Sequence, residues 1–212
     1  QEYESYLKHF EKIKLLSTGV WTHLLGKESN SDIVKNYKRK HKDIADKIVC
    51  WEGYSFNGNI RCKLGYVCFL GNAYPCLDIF ERLNIPFILE LYPGGSFGLD
   101  NPQSDQMLKR VMSSRCFRKV IVTQKATYDY LLRNKFCDEE DIIKIFGVVV
   151  PIEDIRKKIE NKKHFGINKK TLDICFVAMK YTKFGSDKGY DLFIEAAKKL
   201  SKLHKDIYFH VV

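Results

Sequence analysis

Apolar and polar positions follow one another in blocks along most of the chain, and these blocks predict alternating strands and helices. Short apolar runs at residues 66–70, 86–91 and 119–123 predict strands. The segments after these runs have apolar positions at helical spacing, as in residues 72–83. Strands that alternate with helical segments of about 10–15 residues are typical of a parallel, doubly wound sheet. We therefore expect an α/β protein.

The C-terminal part of the chain repeats this pattern around a basic loop. Residues 174–177 predict a strand buried on both faces, residues 192–200 a helix with an apolar face, and residues 207–212 a second strand. Lys180 and Lys188 lie after the first strand, where open α/β sheets bind ligands. Lysines beside a helix N-terminus suit an anionic group such as a nucleotide's phosphates. A solvated loop beside an ordinary crossover would have the same residues.

A change of composition divides the chain into two predicted domains. Residues 151–170 are basic and have little of the periodicity that marks a core-facing helix. We interpret residues 1–150 as an N-terminal Rossmann-like domain, residues 151–170 as a linker and residues 171–212 as the start of a second Rossmann-like domain.

Seven cysteines and six histidines are scattered along the 212 residues, without a C-x-x-C pair. This usage predicts reduced, buried thiols of a cytoplasmic protein and argues against a disulfide framework or a metal site. No apolar run is long enough to span a bilayer.

The net charge of +10 is compatible with nucleic acid, an anionic membrane surface or a polyanionic substrate. Solvated helix faces would give the same charge. The basic clusters lack interleaved aromatic residues and any nucleic-acid-reading motif, so we do not expect nucleic acid as a partner.

A glycine-rich loop at residues 92–98 follows the strand predicted at residues 86–91. Glycine permits positive φ and close approach of backbone N–H groups to a ligand, so Gly94 and Gly95 are candidate binding residues, with Tyr92 beside them. A plain strand-to-helix turn would also use glycine here.

The pair Lys188-Gly189, which follows a strand and a loop and opens a helix, resembles the start of the second domain in GT-B glycosyltransferases of the retaining family 4 group. Lys180 stands where that family has an arginine, and Tyr92 stands where it often has a histidine. The resemblance implies a nucleoside diphosphate sugar held between two Rossmann-like domains. It places Lys180, Lys188 and Gly189 on the donor side, and Tyr92, Gly94 and Gly95 on the acceptor side.

By this resemblance the reaction transfers a sugar to a hydroxyl group of a glycan or glycolipid, with retention and without a metal or other cofactor. The family's paired donor-binding glutamates lie beyond the helix that starts near Lys188, so we expect an incomplete chain that is inactive alone. The alternatives are a non-catalytic remnant and a basic nucleic-acid-binding α/β protein. We expect a cytoplasmic protein that can touch an anionic inner membrane face through its basic clusters.

Overall fold

The structure, a computed structural model, describes residues 2–19, 28–51, 62–145, 159, 162–178 and 185–212. The chain forms two compact units, Gln1–Val149 and Val150–Val212. Both are built from parallel strands and helices, so the predicted α/β class with Rossmann-like parallel sheets is confirmed.

The first unit contains a four-stranded parallel sheet and a two-stranded parallel sheet. The larger sheet has the strand order β3-β4-β5-β6, and the smaller one pairs β1 with β2. The strands are β1 Leu15–Ser17, β2 Ile48–Cys50, β3 Gly65–Cys68, β4 Phe87–Leu91, β5 Phe117–Val122 and β6 Ile142–Lys144.

Helices connect these strands, and their ends follow from capping residues. The helices are α1 Glu2–His9, α2 Asn30–Lys40, α3 Leu70–Leu83, α4 Pro102–Met112 and α5 Lys125–Arg133. Helix α3 ends where Asn84 adopts the left-handed conformation at φ 52°. Helix α4 starts after Asn101, whose side-chain oxygen accepts hydrogen bonds from the backbone N–H groups of Gln103 and Ser104, and proline occupies its first position.

The main core lies between one face of the larger sheet and helices α3, α4 and α5. Alternate residues of the central strand β4, Phe87, Leu89 and Leu91, are fully buried together with Leu108 of α4 and Leu131 of α5. This packing fixes the carboxyl ends of β3 and β4, where the glycine-rich loop begins.

The second unit is a βαβ arrangement, as predicted. Strands β7 (Leu172–Phe176) and β8 (Ile207–Val211) are parallel and are joined through helix α6 (Tyr190–Leu203). Phe193 of α6 packs between Phe176 and Phe209, with ring centroids 5.2 and 5.9 Å away.

The burial predicted for this unit was wrong in part. Exposure alternates within residues 172–176. Asp173 lies on the more exposed face, and its carboxylate accepts a hydrogen bond from the His210 ring nitrogen Nε2 at 2.6 Å. Val177 and Leu192 each expose 72% of their surface, so the strand is not buried on both faces and the apolar helix face is covered only in part. Successive side chains of a strand point to opposite faces, and Asp173 and Cys175 share the face of β7 that remains exposed.

All seven cysteines are free thiols, in agreement with the sequence, but the prediction that they are buried was wrong for most of them. Cys76 and Cys116 are buried, while Cys62 and Cys175 are exposed. Burial raises the pKa of Cys76 to about 12.

None of the helices within the described ranges has the length and apolar character required to cross a membrane.

Candidate functional site

The glycine-rich loop forms a closed turn at the carboxyl end of β4. Gly94 and Phe97 exchange two backbone hydrogen bonds, with N–O distances of 3.0 and 2.9 Å. The two residues between them, Gly95 and Ser96, both have positive φ, at 53° and 72°. Such a pair of left-handed residues is the geometry of a type I′ turn, which explains why glycine is needed here.

A backbone hydrogen bond fastens this turn to helix α3. The Gly71 N–H donates to the Gly95 carbonyl oxygen at 2.8 Å, so the turn satisfies one of the unpaired N–H groups of the first helical turn. A side chain at Gly95 would not fit, because its Cβ would lie 2.4 Å from a ring carbon of Phe69. The backbone of residue 95 therefore packs against the Phe69 ring at a distance that leaves no room for a Cβ atom.

Two aromatic rings lie beside this turn. Phe69 directly follows β3 and Tyr92 directly follows β4, and their ring centroids are 5.9 Å apart. Phe69 has a φ of 73°, which is a strained conformation for an aromatic residue. Such strain persists only where neighbouring contacts enforce it, and it is concentrated at functional sites.

A polar cavity of about 280 Å³ is lined by the end of this turn and the start of α4. Its polar lining comes from Ser96 and from Asn101, Gln103 and Ser104 at the start of α4, and Phe97 and Met107 add apolar surface. Asn101 Oδ1 and Ser104 Oγ already accept backbone hydrogen bonds, so Ser96 and Gln103 are the remaining polar side chains that a neutral ligand with hydroxyl groups would contact.

Tyr130 of α5 fixes the segment that carries this cavity. Its hydroxyl oxygen accepts a hydrogen bond from the Asp100 N–H at 2.9 Å and its O–H donates to the Asp105 carboxylate at 2.6 Å. Burial, followed by the hydrogen bond to Asp105, raises the pKa of Tyr130.

Glu90 is a buried carboxylate near the same edge of the sheet. It precedes Leu91 on β4 and exposes only 4% of its surface. Its Oε2 has no hydrogen-bond partner among the residues that the structure describes. A buried carboxylate oxygen without a partner is costly, and an ordered water, an ion, a ligand or a catalytic role can account for one in a native protein.

In the second unit, Lys188 and Gly189 lie at the N-terminus of α6. Lys188 ends a short 3-10 turn, Ser186–Lys188, and is exposed. Gly189 has a φ of 77°, and the Phe193 N–H donates to its carbonyl oxygen. No side-chain hydrogen bond caps the described part of this helix start, and the first turn contains Asp191. A cation and a helix N-terminus together favour an anionic ligand.

The structure thus brings Tyr92, Gly94 and Gly95 together in the first unit and Lys188 and Gly189 together in the second. Lys180 lies outside the described residues. Among the residues described, no group of three or more histidine, cysteine or acidic side chains could hold a metal ion.

Sequence reasoning missed Glu90, the strained Phe69 and the cavity at the start of α4. The signal for Glu90 was a charged residue inside an otherwise apolar strand, FILEL. No sequence signal marks the positive φ of Phe69.

No protein-family model matches the chain, and no curated protein matches it.

Proposed function

We propose that the protein is a GT-B-type glycosyltransferase of the retaining family 4 kind. Such an enzyme moves a sugar from a nucleoside diphosphate donor to a hydroxyl group of a glycan or glycolipid. The observation that carries this proposal is the position of Lys188-Gly189 at the start of α6, after β7 of a βαβ unit. The sequence pattern resembles the donor-binding start of the second domain in that family.

In this proposal the donor's diphosphate lies at the N-terminus of α6. Lys188 supplies positive charge, and backbone N–H groups of the first helical turn supply donors directed at the phosphate oxygens. Lys180 adds a second charge, by the sequence resemblance alone. As the bond to the sugar breaks, negative charge grows on the leaving diphosphate, and fixed cationic groups stabilise that charge more than they stabilise the bound substrate. No metal or cofactor is required for this role.

The acceptor would bind in the first unit, near Tyr92, Gly94 and Gly95. The support is the closed turn and the adjoining cavity, where the side chains of Ser96 and Gln103 would meet sugar hydroxyls. A glycolipid acceptor would bring a cytoplasmic enzyme to the inner membrane face. Lys35 and Arg39 of α2 are exposed and could contact anionic headgroups there, each contributing about 1 kcal/mol.

The test is binding of pyrophosphate and of nucleoside diphosphates to the chain and to Lys188→Ala, measured by isothermal titration calorimetry. Lys188 is exposed, so its charge is screened, and we expect a five- to tenfold loss of affinity, corresponding to about 1 kcal/mol. Lys202→Ala removes an exposed lysine from the last turn of the same helix and serves as the control. Equal affinities of the Lys188→Ala and Lys202→Ala proteins would contradict the proposed diphosphate site.

A further inference from the structure

Tyr130 is the buried side chain that supports the cavity at the start of α4. It exposes only 2% of its surface, and its ring packs against that of Phe97, which lines the cavity, with ring centroids 6.3 Å apart. Its hydroxyl group bonds both Asp100 and Asp105, which flank the lining segment 101–104. One phenol side chain therefore contacts the apolar wall of the cavity and both ends of the segment that supplies its polar wall.

Further hydrogen bonds hold the polar wall from within. The Gly98 N–H donates to Ser104 Oγ at 3.2 Å. Asn101 Oδ1 accepts hydrogen bonds from the N–H groups of Gln103 and Ser104, at 3.0 and 3.1 Å. These bonds order the wall in the absence of a ligand, and they leave the side chains of Ser96 and Gln103 for contact with one.

The charge and the size of the cavity limit the chemistry of its ligand. No charged side chain is among the described residues that line it, although 29% of the chain is charged. The Asp105 carboxylate is bonded to Tyr130 at 2.6 Å, and the Asp100 carboxylate lies 3.5 Å from the Arg133 guanidinium. A charged ligand would lose hydration in the cavity without gaining an opposite charge. The volume of about 280 Å³ lies below the range of about 300–1,000 Å³ for drug-sized ligands, so it suits a single sugar unit.

We propose that this cavity holds one uncharged sugar unit and that Tyr130 is the positioning residue that sets its polar wall. The Gln103 amide and the Ser96 hydroxyl form hydrogen bonds with hydroxyl groups of the sugar. Phe97 and Met107 contact its C–H groups. This site deepens the proposed function, because it makes the acceptor's terminal unit a neutral sugar. The assignment of the sugar to the acceptor rests on the proposed function, whereas the sugar site itself does not.

The experiment titrates glucose, galactose and mannose into the chain, followed by ligand-observed NMR, with glucuronate as the charged probe of similar size. We expect at least one of the neutral hexoses to bind, and glucuronate to bind about tenfold more weakly than that hexose. Gln103→Leu should weaken hexose binding by about three- to tenfold, as for the loss of a hydrogen bond between uncharged groups. Gln106→Leu is the matched control, because Gln106 is an exposed glutamine of the same helix that does not line the cavity.

Tyr130→Phe tests the positioning role, because it keeps the ring and removes both hydrogen bonds of the hydroxyl group. At a temperature well below unfolding, we expect it to weaken hexose binding by about three- to tenfold. Tyr128→Phe is the matched control, since it removes the hydroxyl group of another tyrosine of α5, which is bonded to Glu139. Asp105→Asn should retain hexose binding, because its amide oxygen can still accept from the Tyr130 O–H, whereas Asp105→Leu should weaken it. A lower melting temperature of Tyr130→Phe with unchanged hexose affinity would show a merely structural role and overturn the positioning role.

Absence of binding by all three neutral hexoses would overturn the sugar site, as would equal hexose affinities of Gln103→Leu and Gln106→Leu. Glucuronate binding as tight as that of the neutral hexose would overturn the preference for an uncharged unit. Lys188→Ala should leave hexose binding unchanged. A failure of diphosphate binding alongside Gln103-dependent hexose binding would therefore reject the glycosyltransferase proposal and retain the sugar site, and the opposite pair of results would do the reverse.

Discussion

Replacing Arg110 by methionine should remove a pH-dependent part of the stability of the first unit. Arg110 of α4 donates two hydrogen bonds to the Glu81 carboxylate of α3, at 2.8 and 2.7 Å, and the Ser114 hydroxyl donates a third at 2.7 Å. These bonds, with that to Arg110 first, lower the pKa of Glu81 from its ordinary value of 4.5 to about 2. The pair lies near the C-terminal ends of both helices, away from the turn at Gly94.

The size of the effect follows from that pKa and from solvent exposure. A pKa lowered to this extent would correspond to about 3 kcal/mol in the absence of screening. Because Arg110 exposes 43% of its side chain and Glu81 exposes 26%, water and salt reduce the expected contribution to about 1 kcal/mol. Since the folded-state pKa of Glu81 lies below the unfolded value, this contribution is present above pH 4.5 and disappears as the pH falls toward about 2.

Urea denaturation followed by circular dichroism measures this contribution. At neutral pH, Arg110→Met should lower the free energy of unfolding by about 1 kcal/mol, and near pH 2 the difference should approach zero. Lys125→Met is the control, because Lys125 and Asp129 form a more exposed pair within α5. A loss of stability for Arg110→Met that is the same at both pH values would refute the reasoning, because it would show that packing and not the charge of Glu81 is responsible.

Two further predictions concern the glycine turn and the thiols. Gly95→Ala should destabilise the chain to urea more than Gly94→Ala, because both face about 1–2 kcal/mol of left-handed backbone cost but only a Cβ at position 95 meets the Phe69 ring; equal losses would contradict the close packing. The exposed thiol of Cys175 should react with a maleimide in the folded chain, whereas buried Cys76, with a pKa of about 12, should react only on unfolding, and similar rates would contradict its burial.

The parallel sheet could be predicted because its signals are local. The apolar run at residues 86–91 and the helical spacing at residues 72–83 correspond closely to β4 and α3. The boundary between β3 and α3 could not be predicted from the sequence. Strand β3 ends at Cys68, before the predicted end at residue 70, because Phe69 adopts a positive φ that no propensity favours.

The candidate site was predictable only where glycine or a motif marks it. Gly94 and Gly95 stand out because left-handed backbone requires them, and Lys188-Gly189 stands out at a helix start. The apolar context of Glu90 is visible in the sequence. That its Oε2 has no hydrogen-bond partner among the described residues depends on tertiary contacts, which a one-dimensional pattern does not contain.

The bonded turn between Gly94 and Phe97 has a consequence for the energetics of binding. Its two internal hydrogen bonds and the bond from Gly71 to Gly95 order the loop in the absence of a ligand. Ordering the backbone of one flexible residue costs about 1–2 kcal/mol in conformational entropy. Because folding has already met this cost, a small molecule that binds beside the turn keeps more of its contact energy as affinity.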